Sequence, residues 1–355
     1  MLGKVDIVFG GQFGSEGKGV IVAHIANRYQ VHVRVGAPNA GHSFLGPDGL
    51  GGKRLWKMQT IPCGWINPNA LILIGAGGLI DPELLRREVE EIAQVDASIY
   101  NRLLIDANCG VLDKCFHEQE GGINGEMHVR IGSTGEGVGP AREARISRNP
   151  ERFRLYRDLC KGDPWFGQFE YGSIAPLIAN QMHWGCDVLL EGAQGQGLSL
   201  IHGPWPYCTS TDPGPAQLCA DVGVPLKAVR DIIVCMRTFP IRVAGNSGPL
   251  YAELSWDELS QRLGKTICER TTVTKKIRRI GLWDESLARQ CAMLHGPTKI
   301  ALTFVDYLTP EDEGISEYDN LSAYARNFIM DVQCQMGVPV AFIGTGGPQL
   351  VVMER

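Results

Sequence analysis

The stretch Val5-Asp6-Ile7-Val8-Phe9-Gly10-Gly11-Gln12-Phe13-Gly14-Ser15-Glu16-Gly17-Lys18-Gly19 decides the fold. A short apolar run empties into a glycine-rich turn and then into residues of helical character. That is how α/β proteins present backbone N–H groups and a lysine to phosphate. The usual P-loop spacing is not met, since it would place glycine at Gln12 and serine or threonine at Gly19. The turn therefore reads as a phosphate loop of another kind, with Ser15 at its tip, where a catalytic group could sit.

Outward from this turn, short apolar runs alternate with amphipathic stretches. Strands are predicted at 5–9, 31–35, 70–74, 103–105, 188–190, 232–239, 299–305 and 338–343. Helices are predicted at 17–29, 82–95, 150–160, 174–183, 284–294 and 320–336, with Asp81 capping the helix that opens at Pro82. The alternation predicts an α/β fold with a mostly parallel central sheet, helices on both faces and inserted loops, in one domain over 1–355.

A chain of 355 residues can bury a substantial core. Its formal charge of −5 lacks the basic excess of a non-specific nucleic-acid binder, yet leaves room for a local nucleotide site. The longest strongly apolar stretches, such as 70–74 and 232–236, have strand length, so no membrane span is expected. The N-terminus reads as a strand, not as a cleavable signal. Eleven cysteines without a C-x-x-C pair predict reduced, mostly buried thiols in a cytoplasmic protein, the alternative being a metal site assembled from distant cysteines.

Glycine clusters again at 75–78, 132–139, 192–197 and 344–347. Repetition at strand ends suggests backbone brought close to a ligand, against ordinary tight turns. In Asn39-Ala40-Gly41-His42, a histidine in a polar loop is an acid/base candidate because its pKa lies near neutrality. The segment 131–140 is a second phosphate cradle, with Ser133 and Thr134 hydroxyls beside free backbone N–H groups. Arg142, Arg145 and Arg148 follow at three-residue spacing, either aligned for bidentate phosphate contact or forming a solvated basic face. Gln194, in Glu191-Gly192-Ala193-Gln194-Gly195, can offer donor and acceptor to an amide-like ring edge. The run Thr271-Thr272-Val273-Thr274-Lys275-Lys276-Ile277-Arg278-Arg279 suits a carboxylate-bearing substrate, or is a basic surface turn. Asp306 and the 344–348 turn end two further strands and could edge a purine base. Together these features suggest a two-nucleotide enzyme with an acidic co-substrate.

In order along the chain, segments 10–19, 39–42, 74–82, 131–140, 191–195, 202–210, 242–245, 271–284 and 302–306 resemble the adenylosuccinate synthetase family. The resemblance implies a P-loop-NTPase-like fold and a C–N ligase that condenses L-aspartate with a 6-oxopurine nucleotide. The ring N1 proton is removed, the 6-oxygen takes the γ-phosphoryl group of a nucleoside triphosphate, and the aspartate amine displaces phosphate. It places Ser15, Lys18, His42 and Gln194 at catalytic positions: Lys18 on the transferring phosphoryl group, His42 at the 6-oxygen, Gln194 on the ring. Gly14, Ser15, Glu16, Gly17, Lys18, Gly19, Gly41, His42, Ser43, Arg278, Phe304, Asp306, Gly344, Thr345 and Gly346 would hold the triphosphate nucleotide. Ser15, Asn39, Ser133, Thr134, Arg148, Gln194, Thr209, Val243 and Ala244 would hold the monophosphate. Thr272, Val273, Thr274, Lys275, Lys276, Ile277 and Arg278 would hold aspartate, and Ser15 with the Gly41 carbonyl would ligate Mg²⁺. Because Arg148 stands where the family reaches across to a second subunit, a homodimer is implied, with no membrane or direct nucleic-acid partner.

Three positions depart from the family pattern. Ser15 replaces an aspartate that acts as base and metal ligand, and a hydroxyl is a poor substitute for either task. Phe304 replaces a lysine that helps select GTP while Asp306 remains, which points to ATP or dATP as donor. Lys276 and Ile277 replace parts of an arginine-rich aspartate loop. Serine at the base position, in a chain shorter than bacterial members, resembles a phage branch of the family. That branch makes N6-succino-2-amino-2′-deoxyadenylate from dGMP and aspartate for 2-aminoadenine DNA, in the host cytoplasm. The alternatives are a conventional synthetase acting on IMP, with Glu16, water or substrate doing the work of the base, and an inactive nucleotide-binding homologue.

Overall fold

The computed structural model describes residues 2–121, 125–271, 276–346 and 351–355. Every residue of the Val5–Gly10 strand is buried, because it lies inside a ten-stranded sheet with neighbours on both edges. Val229–Arg237 flanks it on one side and Val188–Gly195 on the other. Beyond the first neighbour come Lys299–Thr303, Val340–Gly346 and Val351–Glu354; beyond the second come Val31–Arg34, Leu71–Ile74, Leu103–Asp106 and Glu170–Tyr171. Pairing is parallel throughout except at the Val351–Glu354 edge. Parallel strands buried on both faces read as continuous apolar runs, and all eight predicted strands are present.

Successive side chains of a strand point to opposite faces. Val8 accordingly joins a core with Ile21, Val22 and Ile25 of helix Lys18–Ile25 and Leu85, Val89 and Ile92 of helix Pro82–Ala93. Val5, Ile7 and Phe9 join a second core on the other face, with helices Ile174–His183, Pro215–Val222 and Ala323–Met336. Asp81 caps its helix as expected, its carboxylate accepting the Leu84 N–H at 3.0 Å.

The structure departs from the sequence reading in three places. Helix 150–160 is displaced to Tyr156–Gly162, because Leu155 bridges to Gly110 and the Val111 N–H donates to the Arg154 carbonyl. The glycine-rich 132–139 segment runs into a helix, Val138–Ile146, entered through Gly137 at φ 77°. His42 is not in a loop: it opens strand His42–Pro47, which pairs antiparallel with Lys53–Met58. Among the described residues, no helix is long and apolar enough to cross a membrane.

Candidate active site

In an open parallel sheet, ligands bind outside the carboxyl ends of the strands. The Gly10–Gly19 turn leaves that end of its strand, and a cleft of about 190 Å³ opens there. Gly14, Ser15, Lys18, Asn39, Gly41, His42, Ser133, Thr134, Gln194, Thr209, Val243, Ala244, Lys276 and Arg278 all line it. Every residue predicted for the monophosphate nucleotide is thus brought together except Arg148, which is exposed at φ 56°. Glu16, Gly17, Gly19, Ser43, Ile277, Phe304, Asp306 and 344–346 lie outside the lining.

The first turn is held from beneath. Glu16 is fully buried, and its carboxylate accepts the N–H groups of Gln12 (3.2 Å) and Gly14 (2.7 Å) and the Lys18 ammonium (2.7 Å). A Cβ on Gly10 would lie 2.7 Å from this carboxylate, so Glu16 faces the strand ends and not the cleft. That removes it as the base of the alternative reading. Gly17 starts the helix at φ 79°, a left-handed conformation suited to glycine. Gly19 explains the failed P-loop spacing: a Cβ there would lie 2.9 Å from both the His42 Cβ and the Ser43 carbonyl oxygen.

His42 is 6 % exposed, and its Nδ1 lies 2.5 Å from Glu191 Oε1. Glu191 also accepts from the Arg34 guanidinium (3.0 Å) and the Cys63 N–H (2.7 Å). Burial alone would raise the Glu191 carboxyl, but Arg34 and His42 outweigh it and hold it down to about 2. Burial, reinforced by Arg34, pushes His42 down to about 4 against the pull of Glu191. The expected near-neutral titration is therefore corrected: the free imidazole is neutral at pH 7. A carboxylate on Nδ1 places the proton there, leaving the buried Nε2 as an acceptor with no partner among the described residues. Arg34 and Glu191 carried no role in the sequence reading; charged residues inside otherwise apolar strands were the available signal.

At the tip, Ser15 adopts φ 60° and Gln194 φ 65°. Left-handed non-glycine residues cost on the order of 1–3 kcal/mol each and cluster at functional sites. Arg278 Nη1 donates to Ser15 Oγ at 2.6 Å, and Arg237 Nη1 donates to the Ser15 carbonyl at 3.3 Å. Arg237 is fully buried, paired with Glu269 at 2.5 and 3.2 Å. Its guanidinium lies 3.8 Å from the Phe304 ring centre. Neither Arg237 nor Glu269 stands in a recognisable motif.

Other expectations fare unevenly. In the basic loop, Lys276 and Arg278 line the cleft while Ile277 is exposed; Thr272, Val273, Thr274 and Lys275 lie outside the described residues. Arg279 turns away to Glu253, the Ser247 hydroxyl (3.1 Å) and the Gly248 carbonyl (2.8 Å). The second cradle's donors are not all free: the Ser133 hydroxyl and the Gly137 N–H both donate to Glu120. Arg142, Arg145 and Arg148 do not share a phosphate-facing side, since Arg145 donates to the Ala76 (3.0 Å) and Asn108 (3.1 Å) carbonyls and Arg148 falls beyond the helix end. Outside the lining, Thr345 is buried and donates to the Ile315 carbonyl at 2.8 Å. Asp306 is pushed up to about 7 by burial, its Oδ1 without a partner among the described residues.

For a divalent cation the cleft offers the Gly41 carbonyl and Ser15 Oγ, but that hydroxyl is already engaged by a cationic guanidinium. Such a donor set fits Mg²⁺ held mainly by phosphate oxygens and water, the usual mode for this ion, and not a protein cage.

The family model described as adenylosuccinate synthetase matches residues 7–163 and 171–313. The chain belongs to the adenylosuccinate synthetase family. It is therefore a C–N ligase of the kind that consumes a nucleoside triphosphate. It is 37 % identical over 352 residues to the adenylosuccinate synthetase of Pyrococcus horikoshii, covering 98 % of each chain. It is 38 % identical over 343 residues to that of Methanocaldococcus jannaschii, covering 96 % of this chain and 93 % of that one. Among solved structures it is similar to the cyanophage S-2L succinoaminodeoxyadenylate synthetase (PurZ) bound to dGMP and dATP, with TM-score 0.82, 27 % identity and coverage of 100 % and 96 %. It shares the fold of the fully ligated Plasmodium falciparum adenylosuccinate synthetase, with TM-score 0.82, 19 % identity and coverage of 99 % and 100 %. The archaeal coverage corrects one expectation. Short length is common to archaeal synthetases and does not single out the phage branch.

Proposed function

We propose that this ligase condenses L-aspartate with dGMP, driven by ATP or dATP, to give N6-succino-2-amino-2′-deoxyadenylate. The observation that carries the reading is Ser15: a hydroxyl held by Arg278 at 2.6 Å stands where the family resemblance implies a carboxylate. The ligands named for the cyanophage neighbour, dGMP and dATP, support the same choice. In this reading Asn39, Thr134, Gln194, Thr209, Val243 and Ala244 seat the monophosphate, with Arg148 supplied by a second copy. Lys18 and the turn backbone orient the transferring phosphoryl group, and Gly41 would ligate Mg²⁺, which screens phosphate charge when bound. His42 enters neutral at Nε2. Anionic phosphate beside it favours uptake of a proton from solvent at Nε2, so the ring then donates to the 6-oxygen, while Glu191 and Arg34 hold its orientation. Lys276 and Arg278 take the aspartate carboxylates.

A second reading, a conventional synthetase acting on IMP, is favoured by the archaeal relatives at 36–38 % identity. Incubation with aspartate, ATP and Mg²⁺ separates the two, with dGMP, GMP and IMP compared by mass spectrometry. We expect succinylated product from dGMP; product from IMP with none from dGMP would reverse the assignment.

A further inference from the structure

His128 is among the cleft residues that have no part in the chemistry above. It belongs to the short helix Glu126–Ile131. Its Nδ1 meets the Ser133 carbonyl, and its Nε2 lies 2.9 Å from Lys276 Nζ. A carbonyl only accepts and an ammonium only donates, so the ring must be neutral with its proton on Nδ1. The imidazole is a bridge of fixed polarity between the glycine-rich 132–139 turn and the basic loop. Lys276 is fastened at its backbone too, its N–H donating to Thr271 Oγ1 at 3.1 Å.

We propose that His128 is a positioning residue, which aims the Lys276 ammonium and makes its placement depend on the turn that carries Ser133. This rests on the reading that Lys276 and Arg278 take aspartate. A lysine side chain gives up rotamer freedom when it is fixed, and one held in advance loses less on binding. A phosphate seated against Ser133 and Thr134 fixes the Ser133 carbonyl. That fixes the imidazole, and the imidazole fixes Lys276. Monophosphate occupancy therefore raises the affinity for aspartate.

Steady-state kinetics on five variants test this. His128→Phe should raise the aspartate KM about 10-fold, the worth of one charge-assisted hydrogen bond, and by linkage weaken the monophosphate at saturating aspartate, while kcat stays within about 2-fold. His128→Gln, whose amide oxygen reaches the Nε2 position, should restore most of the loss. His128→Asn, which reproduces only the Nδ1 side, should not. In a Lys276→Met background, His128→Phe should add nothing further. An aspartate KM unchanged by His128→Phe, or equal rescue by Asn and Gln, overturns the positioning role. If Lys276→Met itself leaves the aspartate KM unchanged, the aspartate reading of the loop fails instead. The bridge is then judged by nitrogen NMR, where a His128 ring not protonated at Nδ1 would dispose of it. Should His128→Phe melt early, the Gln and Asn pair carries the comparison.

Discussion

The two glycine-rich turns of the cleft use one device on opposite scaffolds. In each, a buried carboxylate gathers the turn's own donors: Glu16 takes the Gln12 and Gly14 N–H groups and Lys18, and Glu120 takes Ser133 and the Gly137 N–H. The first turn leaves a fully buried strand and is braced from behind by Arg237. The second lies between helices Glu126–Ile131 and Val138–Ile146 and is tied through Glu120 to helix Lys114–Glu120. A turn anchored in the sheet has its shape before substrate arrives. A turn anchored outside the sheet, with its donors gathered by Glu120, could exchange that carboxylate for a ligand. We therefore expect the chemical end of the site to be prebuilt and the end assigned to the monophosphate to be adjustable.

The largest expected effect lies at the prebuilt end. Glu191→Gln leaves the buried Arg34 without its counter-ion, which should cost about 3–5 kcal/mol in denaturant unfolding. It should also reduce turnover at least about 100-fold through misplacement of His42. A mild phenotype would mean that this end is no more rigid than the other.

The pH dependence of stability probes the same region. His42 and His32 both sit near 4 in the fold, against 6.5 ordinarily, chiefly through burial. Between those values the unfolded chain binds protons that the folded chain does not. Their stabilisation is complete above pH 6.5 and drains away as pH falls toward 4. Asp306, raised from 3.8 to about 7, acts in reverse, its contribution lost as pH rises through 7. Urea unfolding across this range should therefore show a steeper acid decline in Asp306→Asn than in the parent chain; parallel curves would contradict this.

Gly19→Ser restores the P-loop residue yet drives a Cβ into the His42 strand. It should lose about 1–3 kcal/mol, read by thermal melting, and gain no triphosphate turnover. Ser15→Asp brings a carboxylate to Arg278 and should shift use from dGMP toward IMP by about 10-fold in a competition assay. The smallest effect belongs to the adjustable turn. Ser133→Ala, which removes a hydroxyl already given to Glu120, should change the monophosphate KM by less than about 3-fold, and Thr134→Ala should change it more. Equal effects would show that Ser133 is released for the ligand and sharpen the case for exchange at Glu120.

Legibility in the sequence follows the same division. Doubly buried parallel strands announce themselves as apolar runs, so 5–9, 188–190 and 299–305 were readable without tertiary information. The cleft residues were readable where short motifs carry them, as at Asn39, Gly41 and Gln194. What escaped depends on distant partners. The His42 pKa is set by burial at the start of a hairpin that a polar-looking segment did not advertise, and then by Arg34. The arginine spacing misled because the helix ends at Ile146, two residues before Arg148. Ser133 looked like a free donor because nothing local marks Glu120, thirteen residues away, as its partner.

Arg237 touches three things at once: the Glu269 carboxylate, the Ser15 carbonyl and the face of Phe304. In any redesign of this ligase, the packing of the Phe304 ring and the posture of the tip serine would be inherited together. A library varied at one of these positions alone will sample mostly disrupted pairs, and useful changes of nucleotide preference should surface as compensated doubles spanning the guanidinium.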